Sequence, residues 1–114
     1  MRHRFIPFLI IILFLSISFS VYADEAQDYL NRGQSFYDQG KYQEAINALE
    51  NALKLQPDWA LAHSKLGQAY LQVGKTDQAI QSFQESIRLE PNSDIFHANL
   101  ALAFLINDDL ESAK

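Results

Sequence analysis

The chain has 114 residues, with 14 Asp and Glu against 9 Lys and Arg, and no cysteine. The missing thiols exclude disulfides, thiolate nucleophiles, zinc–thiolate sites and a lipidated N-terminal cysteine. The acidic balance argues against nucleic acid as a partner, because phosphates need a clustered positive surface.

The chain opens on the basic stretch Met1-Arg2-His3-Arg4, runs through an almost unbroken apolar segment at 5–19, and reaches Val21-Tyr22-Ala23 with small side chains at the two positions a signal peptidase inspects. This is the layout of a secretory signal peptide, residues 1–23, with cleavage expected after Ala23. The alternative is an uncleaved membrane anchor through residues 5–22, in which Ser20, Val21 and Tyr22 extend the apolar run toward spanning length. Export without cysteine points to a bacterial periplasmic or secreted protein. Beyond Ala23 there remain seven Lys and Arg against fourteen Asp and Glu, a net charge of −7 that also serves solubility.

The next residues read as helices. Tyr29, Leu30, Phe36 and Tyr37 fall at helical spacing, with Asp24 placed to cap the start and Gly40 to end the segment. A second helix is expected over 42–55, where Tyr42, Ala45, Ile46, Leu49, Ala52 and Leu53 form one apolar stripe. Pro57 closes it and Asp58 is placed to cap the next. The pattern is then repeated. A helix from Trp59 through Leu66, Ala69, Tyr70 and Val73 stops at Gly74, and another through Ala79, Ile80, Phe83, Ile87 and Leu89 stops at Pro91. Asn92 or Ser93 caps a further helix to about Ile106. There Asn107, Asp108 and Asp109 replace the glycine turn, leaving residues 110–114 to begin a sixth helix. No stretch alternates as a strand would, so the fold class is all-α, built of antiparallel helix pairs.

These pairs recur every 34 residues. Gly33 and Gly67 are followed by Ala101; Ala45, Ala79 and Ala113 form a second series, and Pro57 and Pro91 a third. The block Leu66-Gly67-Gln68-Ala69-Tyr70, with Arg32-Gly33-Gln34-Ser35-Phe36 before it and Leu100-Ala101-Leu102-Ala103-Phe104 after it, resembles the tetratricopeptide repeat. The resemblance covers nearly all of residues 24–114, divided into units 26–59, 60–93 and an incomplete 94–114. It implies a short right-handed solenoid that holds other proteins. Small residues at Gly33, Ala45, Ala52, Gly67, Ala79, Ser86 and Ala101 let helices approach, and Phe36, Tyr70, Phe83 and Phe104 fill the spaces between them. The chain departs from the family pattern at His63 and His97, where tryptophan is common, at Arg32 in place of leucine, and at Thr76 in place of tyrosine.

Chemistry is sparse. His63 and His97 hold equivalent positions but lack the further ligands zinc requires, so packing or surface roles are expected and no metal site. Asp108, Asp109 and Glu111 form an acidic cluster without the glycine and alternating ligands of a calcium loop, and read as a helix start. No Ser-His-Asp arrangement, phosphate-cradling glycine loop or nucleophile elbow occurs, so the expectation is a protein that is not an enzyme, with no catalytic residues and no cofactor.

The resemblance implies a concave groove lined by the first helix of each unit. Its outward positions are Gln27, Leu30, Gln34, Tyr37 and Asp38 in unit one. Unit two supplies Leu61, Ser64, Lys65, Gln68, Leu71 and Gln72, and unit three Ile95, Ala98, Asn99, Leu102, Leu105 and Ile106. The family's chaperone-tail clamp of lysines, arginine and asparagines maps to Leu30, Gln34, Lys65, Ile95 and Asn99, which retain no cationic clamp for a terminal carboxylate. The expected ligand is instead an extended or helical peptide of a partner protein. Leu71, Leu102 and Leu105 would serve as apolar anchors, and Tyr37, Gln34, Lys65, Gln68, Gln72 and Asn99 as polar contacts. The competing expectation is that the leucines of unit three pack under a following helix, or pair between chains through the last hairpin. Two functions follow: an exported interaction scaffold, or the N-terminal repeat module of a longer envelope protein or enzyme whose working region lies beyond Lys114.

Overall fold

The computed structural model describes residues 6–113, and the basic start at Arg2 and Arg4 lies outside them. Five helices follow one another: α1 (Ile6–Asp38), α2 (Tyr42–Leu55), α3 (Ala60–Gln72), α4 (Thr76–Leu89) and α5 (Asp94–Ser112). Among the described residues there is no strand.

Each hairpin turns on a glycine. Gly40 (φ 75°) and Gly74 (φ 78°) adopt the left-handed conformation that costs a side-chain-bearing residue roughly 1–2 kcal/mol. The amide of Lys41 donates to the Phe36 carbonyl at 2.8 Å and that of Gly40 to Tyr37 at 2.9 Å. Lys75 to Tyr70 and Gly74 to Leu71 repeat the pair at 2.9 and 3.2 Å, so both first helices end in the same Schellman closure. The second helices end differently. Gln56 and Glu90 are drawn out to φ −138° and −133°, as the residue before a proline must be.

α1 packs on α2 and α3 on α4, while α2 against α3 and α4 against α5 join successive pairs. Close approach within a pair depends on glycine. A Cβ added at Gly33 would stand 2.7 Å from Leu49 Cγ, and one at Gly67 only 2.5 Å from Phe83 Cε1. Leu49 and Phe83 are the two largest fully buried side chains. Each anchors a cluster, one around Leu30, Ala45, Ile46 and Leu66, the other around Ala79 and Ala103, and Tyr70 packs against both.

The expected ends require four corrections. Asp24 caps nothing, because α1 passes through it without a break. The residue capping α3 is Trp59, with no side-chain bond, rather than Asp58. Asn107, Asp108 and Asp109 form no turn: α5 continues to Ser112, and residues 110–112 are its last turn rather than a sixth helix. Asn and Asp tolerate the left-handed conformation but gain nothing from it, so without a glycine the helix runs on through these positions. Phe104, expected to fill a gap, is 44% exposed, and Ala101 is open to solvent. The Ser93 cap does form, its hydroxyl accepting from the Phe96 amide at 3.4 Å.

Candidate concave interaction surface

The first helices α1, α3 and α5 stand side by side, and the polar residues expected to meet a partner also meet one another. Lys65 donates its ammonium to the Gln34 amide oxygen, while Gln34 donates to Asp38 at 2.8 Å. Gln72 donates to the Tyr37 hydroxyl at 3.2 Å and Asn99 to the Ser64 hydroxyl at 3.0 Å, both across a separation of 35 residues. One repeat plus one residue, or one turn less as in Lys65–Gln34 (31 apart), is the register at which these neighbouring first helices touch, so the bonds stitch unit to unit. Gln68 lies beside Gly33, Gln34, Tyr37 and Lys65 in the narrow seam between α1 and α3.

The aliphatic positions divide. Leu71 is half-buried against the Phe83 cluster, whereas Leu102 is 50% and Leu105 64% exposed. Ile95, 69% exposed, and Leu61 add to the apolar surface of α3 and α5. Two supposed groove residues are not on the surface: Leu30 and Ser64 are buried. They share one register position, and each is covered where the next first helix packs, while Ala98 at the same position of α5 is exposed.

His63 and His97 have a role that residue type alone did not reveal. His63 Nε2 lies 2.8 Å from the Pro57 carbonyl oxygen, and His97 Nε2 2.7 Å from that of Pro91. A carbonyl only accepts, so each Nε2 carries a proton and donates it, tying the inter-repeat turn to the first helix. The spacing contained the signal, since Pro and His six residues apart recur after 34. His63→Ala is expected to lower unfolding free energy by about 1 kcal/mol, measured by urea titration. His63→Gln, which keeps a donor, should recover part of the loss.

Two further ionisable pairs involve the second helices. The Tyr70 hydroxyl donates to Glu50 at 3.0 Å, and burial, then this bond and the Glu50 charge, raise its pKa above the usual phenol value. On α4, Arg88 reaches Glu85 at 2.5–3.0 Å and, chiefly through that bond, holds the exposed carboxyl below its usual range. No group of three or more His, Asp or Glu positioned for a metal occurs among the described residues.

Comparison with known proteins agrees with this geometry. The "TPR repeat" model matches residues 33–74 and the "Tetratricopeptide repeat" model residues 60–93. No curated protein matches the chain in sequence. Among solved structures, MamA is 28% identical over 75% of this chain and 50% of its own, with a TM-score of 0.71. The chain thus spans half the length of that relative. The second TPR domain of Spaghetti (RPAP3), bound to the HSP90 peptide SRMEEVD, is 24% identical over 80% of this chain and 84% of its own, at a TM-score of 0.72. The Arabidopsis OM64 TPR domain is 16% identical over 81% and 76%, at 0.74, and these last two likenesses speak for the fold alone. With repeat, turn glycines and hairpin packing in register across 33–93, the chain is a tetratricopeptide repeat protein.

Proposed function

We propose that this chain is an exported, non-catalytic scaffold that binds a peptide segment of a partner protein along the concave face of α1, α3 and α5. The observation that carries the reading is the row of solvent-exposed aliphatic side chains Leu61, Ile95 and Leu102 beside amide groups already held in place. Apolar anchors flanked by pre-oriented polar groups are what peptide recognition by a groove requires. The Spaghetti domain, of the same fold, holds its peptide without implying the same ligand here. This groove lacks the cationic clamp, and Lys65 is engaged by Gln34.

Photo-crosslinking groups placed at Leu102 and, separately, at the exposed Gln84 of α4 test the reading in the full chain. A partner peptide captured from Leu102 and not from Gln84, and weakened at least tenfold (about 1.4 kcal/mol) by Leu61→Glu, is expected. Equal capture from both faces would remove the groove from consideration. A second reading, a repeat module within a longer envelope protein, is favoured by Ala101, Phe104 and Leu105, which occupy exposed positions that earlier units cover with a second helix.

A further inference from the structure

The apolar N-terminal segment does not end where the repeats begin. α1 is one helix of 33 residues, without Gly or Pro between Pro7 and Gly33, and its apolar half is wholly exposed. Ala26 and Leu30, only one and two turns beyond Tyr22, are already buried in the first hairpin. No linker separates the two halves. A peptidase needs an extended backbone with free amides and carbonyls, and the helix through Val21, Tyr22 and Ala23 has committed them internally.

The dimensions suit a bilayer. Residues 6–23 of α1 are 18 in a row without a charge, about 27 Å of helix against a hydrocarbon core of about 30 Å. Ser16 donates its hydroxyl to the Ile12 carbonyl at 2.9 Å, which satisfies it without water. Arg2 and Arg4 precede the segment and Asp24, Glu25 and Asp28 follow it, the asymmetry that leaves the N-terminus in the cytoplasm and sends the repeats across. Tyr22 sits at the boundary, where amphipathic rings settle among headgroups.

From this we infer that α1 is an uncleaved single-pass anchor whose rigid continuation into the first hairpin holds the α2–α3 turn in the lipid headgroup layer. α2 runs back along α1, so that Leu55, Pro57 and Asp58 face Phe19, Tyr22 and Ala23 across a cleft of about 520 Å³. The Gly40 turn lies at the other end of α2, whose 14 residues place it about 21 Å farther from the membrane. The inter-repeat turns therefore face lipid and the glycine turns face away.

The absence of cysteine makes the test clean. The full chain, tagged at its C-terminus, is expressed in a bacterial host, and its membranes are washed with alkaline carbonate. The expected product keeps residues 1–23 by intact mass, stays in the pellet, and exposes the repeats only to protease added outside. Single-cysteine variants Asp58→Cys and Gln39→Cys, both at exposed positions, are then labelled and reconstituted in phosphatidylcholine vesicles containing headgroup spin-labelled lipid. Quenching is expected to be several-fold stronger at 58 than at 39. A product that begins at Asp24, release by the wash, or repeats on the cytoplasmic side would overturn the anchor. Equal quenching at 58 and 39 would overturn the docked turn. Neither outcome bears on capture of a peptide by the groove.

Discussion

Phe83→Ala is expected to lower the unfolding free energy by about 3–5 kcal/mol, the cost of emptying a fully buried aromatic site. The ring fills the space that Gly67 leaves open, with three of its atoms within 2.9 Å of where a Cβ would stand. The two positions are therefore coupled. In the Phe83→Ala background, Gly67→Ala should become favourable, gaining up to about 1 kcal/mol of helix propensity. In the wild-type background it should be unfavourable, because overpacking costs about 1–3 kcal/mol. A double-mutant cycle by urea denaturation measures the coupling, and additive effects would show that the ring does not depend on the glycine.

Leu49→Ala is the second large loss, about 2–5 kcal/mol, since Leu49 closes the first hairpin over Gly33 as Phe83 closes the second over Gly67. Its consequence should extend beyond that hairpin. Tyr70 packs against both clusters, and in a repeat array each unit is supported by its neighbour. Circular dichroism and the fluorescence of Trp59, the single tryptophan, which packs against the first cluster, should melt together in Leu49→Ala. Two separated transitions would mean the hairpins are independent.

Much of the fold was legible because it is local. A period of 34, glycine at the hairpin turns and proline after the second helices specify where helices stop, and each of these depends on backbone preferences of single residues. The apolar stripe of α2 was equally plain. The ends without glycine or proline were not. Asn107, Asp108 and Asp109 tolerate a turn but do not impose one, and α5 runs through them to Ser112.

The groove was legible by position and not by partner. That Lys65, Gln72 and Asn99 lie on first helices follows from the repeat, but their bonds to Gln34, Tyr37 and Ser64 require knowing how far one helix is displaced against the next. Leu30 and Ser64 illustrate the same gap, since a residue on an outward face is buried once the neighbouring first helix leans over it.

The sequence by itself determined the all-α class, the repeat, the turns and the absence of thiol chemistry, because these rest on residue type and short-range spacing. Only the tertiary structure decided which leucines are core and which are open, that His63 and His97 each tie down a proline carbonyl, and that α1 carries the apolar segment into the first repeat without a break. Those outcomes depend on contacts between residues distant in the chain, or on a helix persisting through positions whose local preferences leave the matter open.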